Sequence, residues 1–170
     1  MPRYVAFLRG VSPLNAKMTK LKECFEKAGF TNVKTVLASG NVVFDSRKSS
    51  EKSLELRIET AMEKHLDQVF FTIVRSVEYL QAILDSDPFQ SFRLRPNAKR
   101  VVTFLRVRPQ GNIVLPPEQE GSRILKIEGR EVYTRYVRNA GGPAFMRLIE
   151  KTFGKEVTTR TWETVKKVVR

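Results

Sequence analysis

The chain is expected to be an α+β protein built from two blocks, the first of them ferredoxin-like, βαββαβ, and the second another small α+β block. Three features predict this. Over the first 76 residues, short β-branched and aromatic runs alternate with amphipathic stretches in the order strand, helix, strand, strand, helix, strand. A polar, proline-containing connector then occupies 85–98, and beyond it strand patterns again precede a helix. Right-handed crossovers leave few other ways to wind the first block. The boundaries are therefore set at 1–76 and 77–170.

Each element has a local reason. Residues 3–8, Arg-Tyr-Val-Ala-Phe-Leu, read as a strand. Asn15 is placed to cap a helix whose apolar positions Met18, Leu21, Phe25 and Ala28 follow helical spacing, and Gly29 ends it. Val33 to Ala38 and Val42 to Phe44 are two strands joined at Gly40-Asn41. A second helix starts near Ser49 or Ser50 and carries Leu54, Ile58, Ala61 and Met62, and Val69 to Val74 returns as a strand. In the second block, 77–84 is a short helix, 99–107 a strand, and 108–121 a loop rich in Pro and Gly. Residues 123–127 and 131–137 form a hairpin turning at Glu128-Gly129. Phe145, Leu148, Ile149 and Phe153 line a helix ending at Gly154, and a last helix starts after Thr161 and buries Trp162, Val165 and Val169. The two blocks are similar in size, yet no residue-level repeat stands out between them.

The totals limit the function classes. The 170 residues suffice for one or two small domains, and the net charge of +13 is uneven. Residues 1–50 carry nine basic and three acidic side chains, 51–90 four and eight, and 91–170 eighteen and seven. Such a field attracts phosphates, nucleic acid or an acidic protein partner. The single cysteine, Cys24, forms no internal disulfide and fits a reducing compartment. No secretory signal opens the chain and no run is long enough to span a bilayer, so a cytoplasmic location and no membrane partner are expected.

Two polar motifs stand out as site material: Ser39-Gly40-Asn41, and Thr158-Thr159-Arg160-Thr161-Trp162 near the C-terminus. Taken with Phe7-Leu8-Arg9-Gly10, Met18, Leu21, Gly29-Phe30, the continuation Val42-Val43-Phe44, and Phe153-Gly154 and Glu163-Thr164-Val165, they resemble the bacterial domain-of-unknown-function family 1697. The resemblance spans essentially the whole chain. It implies a two-part α+β architecture with a ferredoxin-like portion, and it brings no activity with it. Gly10-Val11-Ser12-Pro13-Leu14-Asn15 departs from a glycine-richer turn, and Thr161 and Glu163 replace asparagines usual in the closing motif.

Topology predicts where a site would be. The loop after the first strand and the turn before the third open at one end of the sheet. That end gathers Arg9, Asn15, Lys17, Ser39, Gly40 and Asn41 near the start of the first helix, with His65 arriving at the end of the second. Thr159 and Arg160 are the C-terminal candidates, since a guanidinium fork suits phosphate or carboxylate. Gly141-Gly142-Pro143 is a weaker glycine signal, better explained as a loop with Pro in the first helical turn. Cys24 and Trp162 belong on apolar faces, and His65 is expected to flank the core. Glu51, Glu55, Glu59 and Glu63 form a ridge at four-residue spacing, either solvated or docked on a basic surface.

No Walker or dinucleotide glycine pattern is present and no metal-ligand cluster appears, so no cofactor or metal is expected. No side chain identifies itself as catalytic; His65 and Asp45 are the nearest bases. The leading reading is a binding module for an anionic ligand: a phosphorylated small molecule, a nucleotide or nucleic acid. For nucleic acid, Lys99 to Arg108 and Arg130 to Arg138 interleave Arg with Phe104, Tyr133 and Tyr136 as a stacking surface. The alternatives are an enzyme acting on a small phosphorylated or acidic substrate, and a non-catalytic protein-interaction module.

Overall fold

The computed structural model describes residues 1–137 and 142–170, with the side chains of Gly142 and Pro143 left aside. The elements run β1 (Arg3–Leu8), α1 (Met18–Lys27), β2 (Thr31–Thr35), β3 (Asn41–Asp45), α2 (Glu51–His65), β4 (Thr72–Ser76) and α3 (Val77–Ser86). They continue with β5 (Ala98–Leu105), β6 (Ser122–Glu128), β7 (Glu131–Val137), α4 (Gly142–Phe153), β8 (Val157–Thr161) and α5 (Trp162–Val168). Two compact units result, Met1–Asp85 with Lys166–Arg170, and Ser86–Val165.

The first unit is the ferredoxin-like βαββαβ block, with an antiparallel sheet in the order β2-β3-β1-β4. Strand alternation sends Tyr4, Ala6, Leu8, Val42, Phe44 and Val74 to the face covered by Leu21, Cys24 and Phe25 of α1 and Leu54, Ile58 and Met62 of α2. Phe44 is the hub, with ring centroids of Phe30, Phe25 and Tyr4 at 4.4, 5.6 and 5.8 Å. Each such fully buried side chain contributes about 1.5–3 kcal/mol of transfer free energy. The final strand lies later than its composition predicts. Val69 is exposed, Phe70 tucks into the core ahead of the strand, and pairing with β1 begins only at Thr72, opposite Leu8.

The acidic ridge finds its partner inside the first unit. It lines the outer edge of β4, whose amides would otherwise be open to another chain. Glu55 accepts the Val74 N–H at 2.9 Å and Glu59 that of Thr72 at 3.3 Å, while Glu51 approaches the buried Arg75 guanidinium at 3.6 Å. The four-residue spacing places one carboxylate per helical turn along the strand. Glu63, a turn further on, is exposed.

The second unit holds a four-stranded antiparallel sheet in the order β6-β7-β5-β8. Val101, Leu105, Ile124, Val132 and Val157 pack with Phe145, Leu148 and Ile149 of α4. The segment Val157–Thr161, read from sequence only as a motif, is the edge strand β8; its threonines suit a pleated surface.

The second sheet repeats the strand order of the first, with residues 106–121 taking the place of α1 in the order along the chain. Val5 pairs with Arg75 across β1 and β4, as Val102 pairs with Arg160 across β5 and β8. Both arginines donate from Nη1 to the carbonyl of the preceding residue, at 3.0 and 2.7 Å. Ser76 and Thr161 follow them, and each hydroxyl accepts the N–H three residues on, capping α3 and α5. In this register Arg3-Tyr4-Val5-Ala6-Phe7-Leu8-Arg9 falls on Arg100-Val101-Val102-Thr103-Phe104-Leu105-Arg106, so a residue-level repeat is present after all.

Candidate functional site

The rim predicted from topology exists in the first unit. Phe7 pairs with Asn41, and the Leu8 N–H donates to the Gly40 carbonyl at 2.8 Å, so the end of β1 and the start of β3 open together. The Arg9 N–H donates to the Phe71 carbonyl at 2.8 Å, bringing the entry to β4 to the same end.

The residues gathered there do different things. Asn41 is fully buried, and its amide donates to the Val36 carbonyl at 2.9 Å and the Ser39 hydroxyl at 3.1 Å. It therefore closes the β2–β3 connection, which is a loop over 36–40 rather than a tight two-residue turn. Gly40 has a φ of +89°, and a Cβ there would sit 2.9 Å from the Leu8 carbonyl oxygen and 2.9 Å from the Val11 Cβ. Only glycine fits. Arg9 is half-buried and Ser39 exposed.

Asn15 does not cap α1. Its Oδ1 accepts the Ser12 N–H at 2.9 Å and its Nδ2 donates to the Gly10 carbonyl at 2.8 Å, so both ends of the amide are spent closing the loop. Lys17 occupies the N-cap position with extended backbone and no side-chain cap. The amides of Met18, Thr19 and Lys20 thus have no intrahelical acceptor, the first α-helical bond being Leu21 N–H to the Lys17 carbonyl at 3.0 Å.

Beside this helix start lies a cleft of about 480 Å³. Asn15, Lys17 and Lys20 form one wall, and His65, Asp67 and Gln68 form another, with Phe70 at the base. His65 is exposed on that wall rather than flanking the core. Arg9, Ser39, Gly40 and Asn41 are not among the lining residues, so the predicted cluster divides into a loop-building group and a cleft-lining group. Lys20, Asp67 and Gln68 were not singled out from sequence. The signal for Lys20 was its spacing of three from Lys17, which places both on one helix face.

Asp45 drops out as a base. It stands at the opposite end of β3 from Asn41, where Arg3 Nη1 lies 2.8 Å from Oδ1 and Asn32 Nδ2 donates to Oδ2 at 2.6 Å. The Asn32 amide, and then Arg3, hold its carboxyl below the usual value. Cys24 is buried, and desolvation raises its thiol pKa, as its apolar position predicted.

The remaining candidates belong to the second unit. Thr159 and Arg160 lie on β8, where Thr159 Oγ1 meets Met146 Sδ at 3.8 Å and burial lowers the Arg160 guanidinium pKa to about 10. Trp162 packs edge-on against Phe89 at 5.1 Å, and Glu163 ion-pairs with Arg100 at 3.5 Å. The expected stacking surface does not form. Phe104 and Tyr133 are buried on one face of the sheet, where Phe89 meets Tyr133 edge-on at 5.6 Å, and alternation sends Tyr136 to the other face, where it packs on Phe145 at 5.4 Å. Arg138 and Gly141 lie outside the described residues, as do the side chains of Gly142 and Pro143.

Comparison with known proteins agrees with this architecture. Residues 1–133 match the family described as Protein of unknown function (DUF1697). The chain belongs to that family. A solved structure of the conserved bacterial protein SP0830 from Streptococcus pneumoniae superposes with a TM-score of 0.71 at 19% identity, covering 99% of this chain and 97% of that one. At that identity the likeness shows the fold. No curated protein matches the chain. Among the described residues, no helix is long and apolar enough to cross a membrane, and no group of three His, Cys, Asp or Glu is placed to hold a metal.

Proposed function

We propose that this DUF1697 protein binds a small phosphorylated ligand in the cleft beside the start of α1. The observation that carries the reading is the placement of Lys17 and Lys20 on one wall, next to helix amides with no intrahelical acceptor. Two ammonium groups and the helix N-terminus together favour a phosphate over a single carboxylate.

The opposite wall refines the ligand class. Asp67 and the carbonyl end of α2 offer acceptors, and His65 and Gln68 offer donors or acceptors. A phosphate carrying hydroxyl or amino groups would satisfy both walls at once. The volume of about 480 Å³ suits a small molecule. Sugar phosphates and nucleotides are the first compounds to test, and the inward aromatic rings of the second unit favour them over a single-stranded nucleic acid.

A thermal-shift screen with phosphorylated metabolites, repeated on Lys17→Gln and His65→Gln, tests this. Each lost charge-assisted hydrogen bond is worth about 1.5–3 kcal/mol, so Lys17→Gln should weaken a true ligand about tenfold or more. A ligand that raised the melting temperature of wild type and Lys17→Gln alike would place binding elsewhere.

A further inference from the structure

The second unit contains a separate concavity of about 340 Å³ that the sequence motifs did not point to. Its walls are Arg93, Leu94 and Arg95 from the connector, Ala98 at the start of β5, Glu118 and Gly121 ahead of β6, and Arg135 and Val137 on β7. We infer that this pocket is a second anion site, selective for a phosphate monoester with an apolar group.

The charge count sets the class. Three arginines line it with one carboxylate, Glu118, which forms an ion pair with Arg135. Arg135 also donates from Nη1 to the Gly121 carbonyl at 2.8 Å. Its side chain is only 18% exposed, so its guanidinium is fixed in the wall before any ligand arrives. Arg93 and Arg95 pair with no carboxylate among the described residues, and only Leu94 stands between them in a short connector. A net lining charge of two positives matches a phosphate monoester, which carries roughly −1.5 to −2 near neutral pH. Guanidinium forks bind such oxyanions bidentately.

The uncharged lining sets the rest. Leu94, Ala98 and Val137 supply an apolar wall beside the arginines, where the organic part of the ligand would lie. Inorganic phosphate would leave that wall exposed to water, and a monocarboxylate would leave one positive charge uncompensated.

The test is a titration of the isotope-labelled full chain with phenyl phosphate, and in parallel with benzoate, followed by amide chemical shifts. Phenyl phosphate is expected to move Leu94, Ala98 and Val137 with at least tenfold higher affinity than benzoate. Arg93→Gln/Arg95→Gln should lose at least tenfold in that affinity, and Arg93→Lys/Arg95→Lys should recover only part of it, because charge without the fork is not enough. Lys17→Gln should leave these three shifts unchanged, which separates this site from the cleft beside α1. Equal binding of benzoate and phenyl phosphate would overturn the inference. So would unchanged affinity in Arg93→Gln/Arg95→Gln, or no movement of these amides at millimolar phenyl phosphate.

Discussion

Replacing Gly40 by Ala perturbs the point where β1, β3 and the loop after β1 meet. The added Cβ would lie 2.9 Å from the Leu8 carbonyl oxygen, 2.9 Å from Val11 Cβ and 3.0 Å from Val11 Cγ2. Backbone and a β-branched stem have little freedom to retreat. The φ of +89° adds a second cost, since a left-handed residue with a Cβ loses about 1–2 kcal/mol. With about 1–3 kcal/mol for overpacking, the total is about 2–5 kcal/mol. Gly10 is the internal control: its φ is +82°, but a methyl group there would meet nothing within 4 Å, so Gly10→Ala should cost only the conformational share. Urea unfolding followed by circular dichroism gives the difference. Hydrogen exchange at Leu8 and Val43 reports the first unit, while Trp162 fluorescence reports the second. If Gly40→Ala were no more destabilising than Gly10→Ala, the close approach to Leu8 and Val11 would not be what demands glycine.

Glu55→Ala should cost about 1–3 kcal/mol by leaving the Val74 N–H without an acceptor, and Glu55→Gln distinctly less; equal losses in urea titration would contradict the edge-covering role. Asp45 has a carboxyl pKa lowered by Asn32 and Arg3 in the folded state. Its contribution is therefore present above the ordinary carboxylate value and is lost as pH falls through the lowered one. Thermal unfolding between about pH 5 and pH 2 should show wild type losing more stability than Asp45→Asn, and parallel curves would refute the linkage. Cys24, buried with a raised thiol pKa, should react with Ellman's reagent only on unfolding, so rapid labelling of native protein would contradict its packing.

The α+β order, the ferredoxin-like first block and the shared rim of β1 and β3 were legible because hydrophobic periodicity and crossover handedness determine them. Side-chain destinations were less so. Asn15 and Asn41 look like ligand donors in a string of letters, yet their amides are satisfied by backbone groups brought near by the loops, at Gly10, Ser12 and Val36. The glutamate ridge was visible as a period of four, but its partner, the β4 edge, is set by tertiary packing. The repeat between Arg3–Arg9 and Arg100–Arg106 was present in the letters and becomes plain only when the pairing of Arg75 and Arg160 aligns the two sheets. Two of the pocket arginines, Arg93 and Arg95, were hidden in a connector with no periodic signal of its own.

The central functional claim is that the start of α1 holds a phosphate. Titrating the labelled full chain with ribose 5-phosphate should shift the Met18, Thr19 and Lys20 amides most strongly, and Lys17→Gln should weaken that response about tenfold or more. Amide shifts confined to other parts of the chain, or an undiminished response in Lys17→Gln, would contradict it.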